Sequence, residues 1–183
     1  MAKWADAVCI CGKNTFCGCE TPKIKRPSNF RLWLDVDGVM ADFDTAFVQL
    51  TGIDSQTYED QHGSKAFWKT IREHTNFFGT LPLMPGALDL YNAVKHLRPL
   101  FLTGCPFGDW AEHQKFGWRD KYFPGTPMIT CLSRNKRSFC QPGDVLVDDL
   151  EKYKHLWEEA GGTFVLHTSA ESTIQQLKDL GVI

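Results

Sequence analysis

The chain has 183 residues, enough for one domain with a sizeable core and a small appendage. Hydrophobic residues make up 43% and charged residues 23%, an ordinary globular composition, and the net charge of −2 gives no overall basic field to hold a nucleic-acid backbone. No apolar run approaches the roughly 20 residues that span a bilayer, and MAKWADAVCICGK lacks the basic start and apolar stretch of a secretion signal, so a cytoplasmic protein with no membrane partner is expected.

Residues 1–29 read as an appendage rich in Cys, Gly, Lys and Pro, ending in the basic linker PKIKRPSN. Cys9, Cys11, Cys17 and Cys19 form CxC, five residues, CxC. Four thiolates at this spacing could hold a structural zinc ion tetrahedrally, although the commoner knuckle is CxxC; the other reading is a tail of reduced thiols.

From residue 30 to 183 the pattern is that of one domain in which strands alternate with helices. RLWLDV reads as a buried strand ending in acids, and ADFDTAFVQLTG as a helix with Phe43, Phe47 and Leu50 on one face and Gly52 as its stop. Residues 53–80 are polar with aromatics inserted, a helix is expected at about 64–74, and the segment reads as a small helical cap inserted after the first strand. LPLMPGALDLYNAVKHL opens a helix at Pro85 and Gly86, with Leu88, Val94 and Leu97 as its apolar positions. PLFLTG is a strand, WAEHQKFGWRDKYF a helix, and PMITCL and DVLVDDL two further strands. EKYKHLWEEAGG is a helix closed by glycines, TFVLHT a strand, and SAESTIQQLKDLGVI a final helix capped by Ser169 or Ser172.

Continuous apolar strands between helices argue for an α/β fold, a Rossmann-like parallel sheet with helices on both faces. In such sheets ligands bind beyond the carboxyl ends of the strands. Asp35 and Asp37, Thr103, and Asp148 and Asp149 all end strands, so they should meet in one crevice. Clustered carboxylates repel and call for a cation, and hard oxygen ligands suit Mg²⁺. An aspartate can then attack phosphorus while a second acid protonates the leaving oxygen and later activates water. Asp35 suits the first role and Asp37 the second; Thr103 and Gly104 offer a hydroxyl and an N–H to phosphate, and SRNKRS supplies positive charge through Arg134, Lys136 and Arg137. Each feature alone reads as a solvated turn, a helix cap or a surface charge run; their joint placement at strand ends favours a site.

LWLDVDG, FLTG, the basic element with Lys136, and LVDDL together resemble the haloacid dehalogenase superfamily across residues 31–183. DVDGVMADF, AFW, NFFGTLPLMPGA, FLTGCP, KFGWRDKYF, LSRNK and LVDD, in that order, are similar to the 5′(3′)-deoxyribonucleotidase family, which dephosphorylates deoxynucleoside monophosphates. The resemblance implies Asp35 as nucleophile and Mg²⁺ ligand, and Asp37 as acid/base with its carbonyl on the metal. It also implies Asp148 as metal ligand with Asp149 behind it, and Thr103, Arg134 and Lys136 as phosphate holders. Phe43, Phe67, Trp68 and Phe78 would line a base pocket, where the residues alone read equally as core. Two departures stand out: Gly104 replaces the Ser usual after the strand-end Thr, and FGDW lacks a basic residue. The expected function is a Mg²⁺-dependent 5′-nucleotidase with a small nucleotide substrate. The alternatives are a phosphatase for another small phosphate or a nucleic-acid 3′-phosphate end, and a vestigial nucleotide-binding or interaction module. The aromatic insertion offers surface for a homodimer as readily as for a base.

Overall fold

The computed structural model describes residues 30–183; the cysteines proposed for zinc and the basic linker lie outside them. Five strands form one parallel sheet: β1 (Leu32–Leu34), β2 (Leu100–Gly104), β3 (Met128–Cys131), β4 (Val145–Asp148) and β5 (Thr163–Leu166). Their spatial order is β3-β2-β1-β4-β5, with Leu34 paired to Phe101 on one side and to Val147 on the other. The strands are parallel because a helical crossover returns the chain to the same edge after each one. After β3 the chain crosses to the far side of β1, so the strand order reverses at the β1–β4 seam.

Alternation along the strands divides the core. Leu32, Leu34, Phe101, Val145 and Val147 face one side. They are covered by residues of α1 (Phe43–Thr51), α2 (Ser55–Glu73), α3 (Ala87–Val94), α4 (Glu112–Tyr122) and α6 (Ala170–Asp179). Trp33, Leu100, Leu102 and Leu146 face the other side, where Trp157 of α5 (Lys154–Glu159) packs edge-on to Trp33 with centroids 6.5 Å apart. Both faces are therefore filled, as the continuous apolar strands require.

The helix limits follow from local chemistry. Asp42 caps α1 by accepting from Thr45 N at 3.0 Å, and Gly52 ends it in the left-handed region that glycine adopts freely. The helix expected at 64–74 is the second half of α2. Asp54 starts α2 earlier by accepting from Thr57 N at 2.8 Å, and Gly63, at φ 79°, bends it. Two expected apolar positions face outward: Leu88 is 50% exposed and Leu50 37%, while Ala87 and Leu90 fill the α3 contact instead. SRNKRS and the residue after it form a 3₁₀ turn, Ser133–Phe139, which the sequence reading left without structure.

At the amino ends of the strands, Asp144 ties β1 to β4. Its carboxylate accepts from Arg31 N and Nε, both at 2.8 Å, from the Arg31 guanidinium terminus, and from Trp33 Nε1 at 3.1 Å. Asp144 is 2% exposed, so deleting it leaves the half-buried Arg31 guanidinium with Phe139 O as its remaining partner and the buried Trp33 indole N–H without its acceptor. Asp144→Ala should lower the free energy of unfolding by about 3–5 kcal/mol. Urea unfolding measures this, and a loss below about 1 kcal/mol would show the cluster to be no stronger than a surface pair.

Candidate active site

The opposite, carboxyl ends of the strands hold a second ionic cluster on the same seam. Asp35 follows β1 and Asp148 ends β4, side by side because Asp35 N donates to Val147 O at 2.9 Å. Each carboxylate is held twice. Asp35 Oδ1 accepts from Val36 N at 2.8 Å and Asp148 Oδ1 from Leu150 N at 2.9 Å. Their Oδ2 atoms share Lys136 Nζ, at 2.8 and 2.7 Å. Lys136 reaches them from the Ser133–Phe139 turn and is buried.

Asp149 completes an acidic trio. Ligand-capable oxygens of Asp35, Asp148 and Asp149 lie within 4.8 Å of one another. Asp149 comes close because residue 38 is glycine: a Cβ there would overlap the Asp149 carboxylate, and its φ of 74° is itself glycine-like. The sequence reading set Asp149 behind the other acids, whereas the geometry groups it with Asp35 and Asp148.

The electrostatics are those of crowded, desolvated acids. Burial pushes the Asp35 carboxyl up to about 6, with Lys136 opposing and the neighbouring Asp148 and Asp37 adding to it. Burial likewise pushes Asp149 up to about 8, reinforced by Asp35 and Asp148. Burial works against the Lys136 charge, but Asp35 and Asp148 outweigh it and hold the ammonium protonated. One lysine does not balance three acids. The trio offers the hard oxygen donors that suit Mg²⁺, so these residues fit a divalent cation.

Asp37 points elsewhere. Its Oδ2 is ion-paired with Lys115 Nζ, and its Oδ1 is buried with no hydrogen-bond partner. Lys115 Nζ also donates to Thr103 Oγ1 at 3.1 Å and lies 4.4 Å from the centroid of Phe78. Sequence reasoning missed Lys115, taking α4 as an ordinary helix. The signal was there: Ala111, Lys115 and Trp118 fall at helical spacing, which places a lysine on the buried stripe.

Of the remaining expected residues, Thr103 is fully buried at the end of β2. Gly104 leaves room for Ser133, whose hydroxyl a Cβ at 104 would overlap, so a hydroxyl stands beside residue 104 although none is attached to it. Arg134 and Arg137 are exposed on the turn that buries Lys136. Phe67 and Phe78 are buried, Phe43 is half-buried with centroids 6.2 Å from each, and Trp68 is 37% exposed. Buried Phe47 and Phe77 join the same aromatic cluster. Gln114 ties the cluster to α4 by accepting from Phe78 N at 3.0 Å.

No family model matches the chain. One curated protein, the human mitochondrial 5′(3′)-deoxyribonucleotidase, is 24% identical over 141 residues, which are 65% of this chain and 61% of that protein. The chain thus spans less than two thirds of the length of that relative. Among solved structures, a haloacid dehalogenase-like hydrolase from Burkholderia xenovorans superposes with a TM-score of 0.53 at 12% identity, covering 84% of this chain and 88% of that one. A hydrolase of the same superfamily from Ehrlichia chaffeensis gives 0.49 at 12% identity, covering 82% and 96%. The chain therefore has the haloacid dehalogenase-like fold. No helix among the described residues is long and apolar enough to cross a membrane.

A prediction follows from the raised carboxyls. Without metal, folded Asp149 keeps a proton that the unfolded chain has released above about pH 4, so its contribution to stability is lost as pH rises through about 8. Asp149→Asn should therefore raise the melting temperature of the metal-free protein at about pH 9 and leave it nearly unchanged at about pH 4. Equal shifts at both would contradict this. Mg²⁺ should raise the wild-type melting temperature more at the higher pH, where protons no longer compete.

Proposed function

We propose that the chain is a Mg²⁺-dependent phosphomonoesterase that hydrolyses nucleoside monophosphates, deoxynucleotides among them, through an aspartyl-phosphate on Asp35. The observation that carries this is the pairing of Asp35 with Asp148 through one buried lysine at the reversal of strand order. Asp35, Asp148 and Asp149 would hold Mg²⁺, along with the Asp37 carbonyl. Bound there, the ion would offset phosphate charge and favour the ionised form of the acids.

The residues then divide the work. The Asp35 carboxylate attacks phosphorus; its O–P bond forms as the ester P–O bond breaks, and Asp37 gives its proton to the departing oxygen. Asp37 then takes a proton from water, whose oxygen attacks the same phosphorus and restores the Asp35 carboxylate. Lys136, Thr103 and the Ser133 hydroxyl would hold phosphate oxygens, with Gly104 and Arg134 assisting.

The nucleotide part of the reading rests on the named activity of the human relative and on the aromatic segment that meets Lys115 at Phe78. Bases stack well on aromatic faces. Phe43 and Trp68 keep accessible surface for this, and Phe67 and Phe78 would back them. The mutual burial of Phe67 and Phe78 favours a second reading, in which the rings are core and the substrate is another small phosphate ester.

Phosphate release from a panel of deoxynucleotides, ribonucleotides, sugar phosphates and 3′-phosphorylated oligonucleotides, with Mg²⁺ and with chelator, separates these readings. Release from nucleotides that stops in chelator is expected. Release unchanged in chelator contradicts the metal requirement, and release from sugar phosphates alone contradicts the substrate. Asp35→Asn should lower kcat by about 10³-fold or more.

A further inference from the structure

Lys115 is 1% exposed, yet it carries a charge on a helix that could have presented an apolar side chain there. A buried lysine–carboxylate pair adds little net stability over a well-packed apolar replacement, so stability alone gives no reason for it. Its three contacts lie on three parts of the site: Asp37 Oδ2, Thr103 Oγ1 and the face of Phe78. With Oδ2 engaged, Oδ1 is the Asp37 oxygen left for a ligand, and it is buried without a partner. The same ammonium occupies an acceptor lone pair of Thr103, whose own proton goes to Gly104 O at 3.4 Å.

We propose that Lys115 is a positioning residue that fixes the Asp37 carboxyl with Oδ1 toward the leaving oxygen, and that its contact with Phe78 ties this orientation to the aromatic segment. The inference rests on the phosphomonoesterase reading. In the step it supports, the Asp35–phosphorus bond forms, the ester P–O bond breaks, and the proton on Asp37 moves to the departing oxygen.

A group that orients a general acid matters in proportion to the leaving oxygen's need for a proton. A p-nitrophenolate leaves unaided, whereas a nitrobenzyl alkoxide of similar size does not. The test is first-turnover release of p-nitrophenol and of 4-nitrobenzyl alcohol from their saturating phosphate esters, by full-length protein with Mg²⁺. Lys115→Met, which keeps the chain length without the charge, should slow 4-nitrobenzyl alcohol release about 10²-fold and p-nitrophenol release less than about 3-fold. Equal slowing of both, or of neither, overturns the proposal, since a merely structural lysine has no leaving-group dependence. Wild type that releases neither alcohol overturns the underlying reading, and the proposal with it. Lys115→Arg keeps the buried charge and carries the test if the Met variant does not fold; it should show the same dependence at about 10-fold.

Discussion

Charges of like sign cannot be buried together without a partner, and most of this architecture follows from how that constraint is met at one seam. A parallel sheet whose order reverses beside β1 brings the carboxyl ends of β1 and β4 together, where Asp35 follows the one and Asp148 ends the other. Lys136 sits between Asp35 and Asp148, and loop N–H groups take the opposite oxygen of each. The amino ends of the same seam are closed by Arg31 on Asp144. An ionic clamp at each end leaves the middle of the strands free for apolar packing on both faces. The two acidic groups differ in how their charge is met: the Asp144 oxygens are taken by arginine and indole, whereas the Asp35 trio is short of positive charge.

A second lysine extends the arrangement. Lys115 and Lys136 face Asp35, Asp37, Asp148 and Asp149, so with every group ionised the crevice carries two excess negative charges. A divalent cation carries the matching charge, and a phosphate dianion then needs further donors. Ser133, Thr103 and the backbone beside Gly104 are the neutral groups at hand. Burial raises Asp35 and Asp149 and their acidic neighbours add to it; a bound cation would offset the second contribution.

The parallel sheet was legible because its strands are continuous apolar runs, and the grouping of Asp35 with Asp148 because each stands at the carboxyl end of a strand. Helix limits were legible where a capping residue or glycine marks them, as at Gly52 and Ser169. Lys115 was not: its partner Asp37 is 78 residues away, and a lysine in a polar helix reads as solvated unless its place between Ala111 and Trp118 is weighed. The substitution of Gly104 for serine read as a lost hydroxyl, because only the fold brings Ser133 against it. The aromatics show the opposite limit. Their spacing suits core or pocket alike, and the fold puts Phe67 and Phe78 inside and Trp68 at the surface.

The proposed reaction puts the phosphoryl group on a carboxylate oxygen of Asp35. Acid quenching during turnover with Mg²⁺ and a phosphate ester, followed by peptide mass spectrometry, locates that group directly. The phosphoryl should appear on the peptide containing Asp35 and disappear on hydroxylamine treatment, which cleaves acyl phosphates. Steady phosphate release with the group on another residue, or on none under conditions that preserve acyl phosphates, would contradict the account.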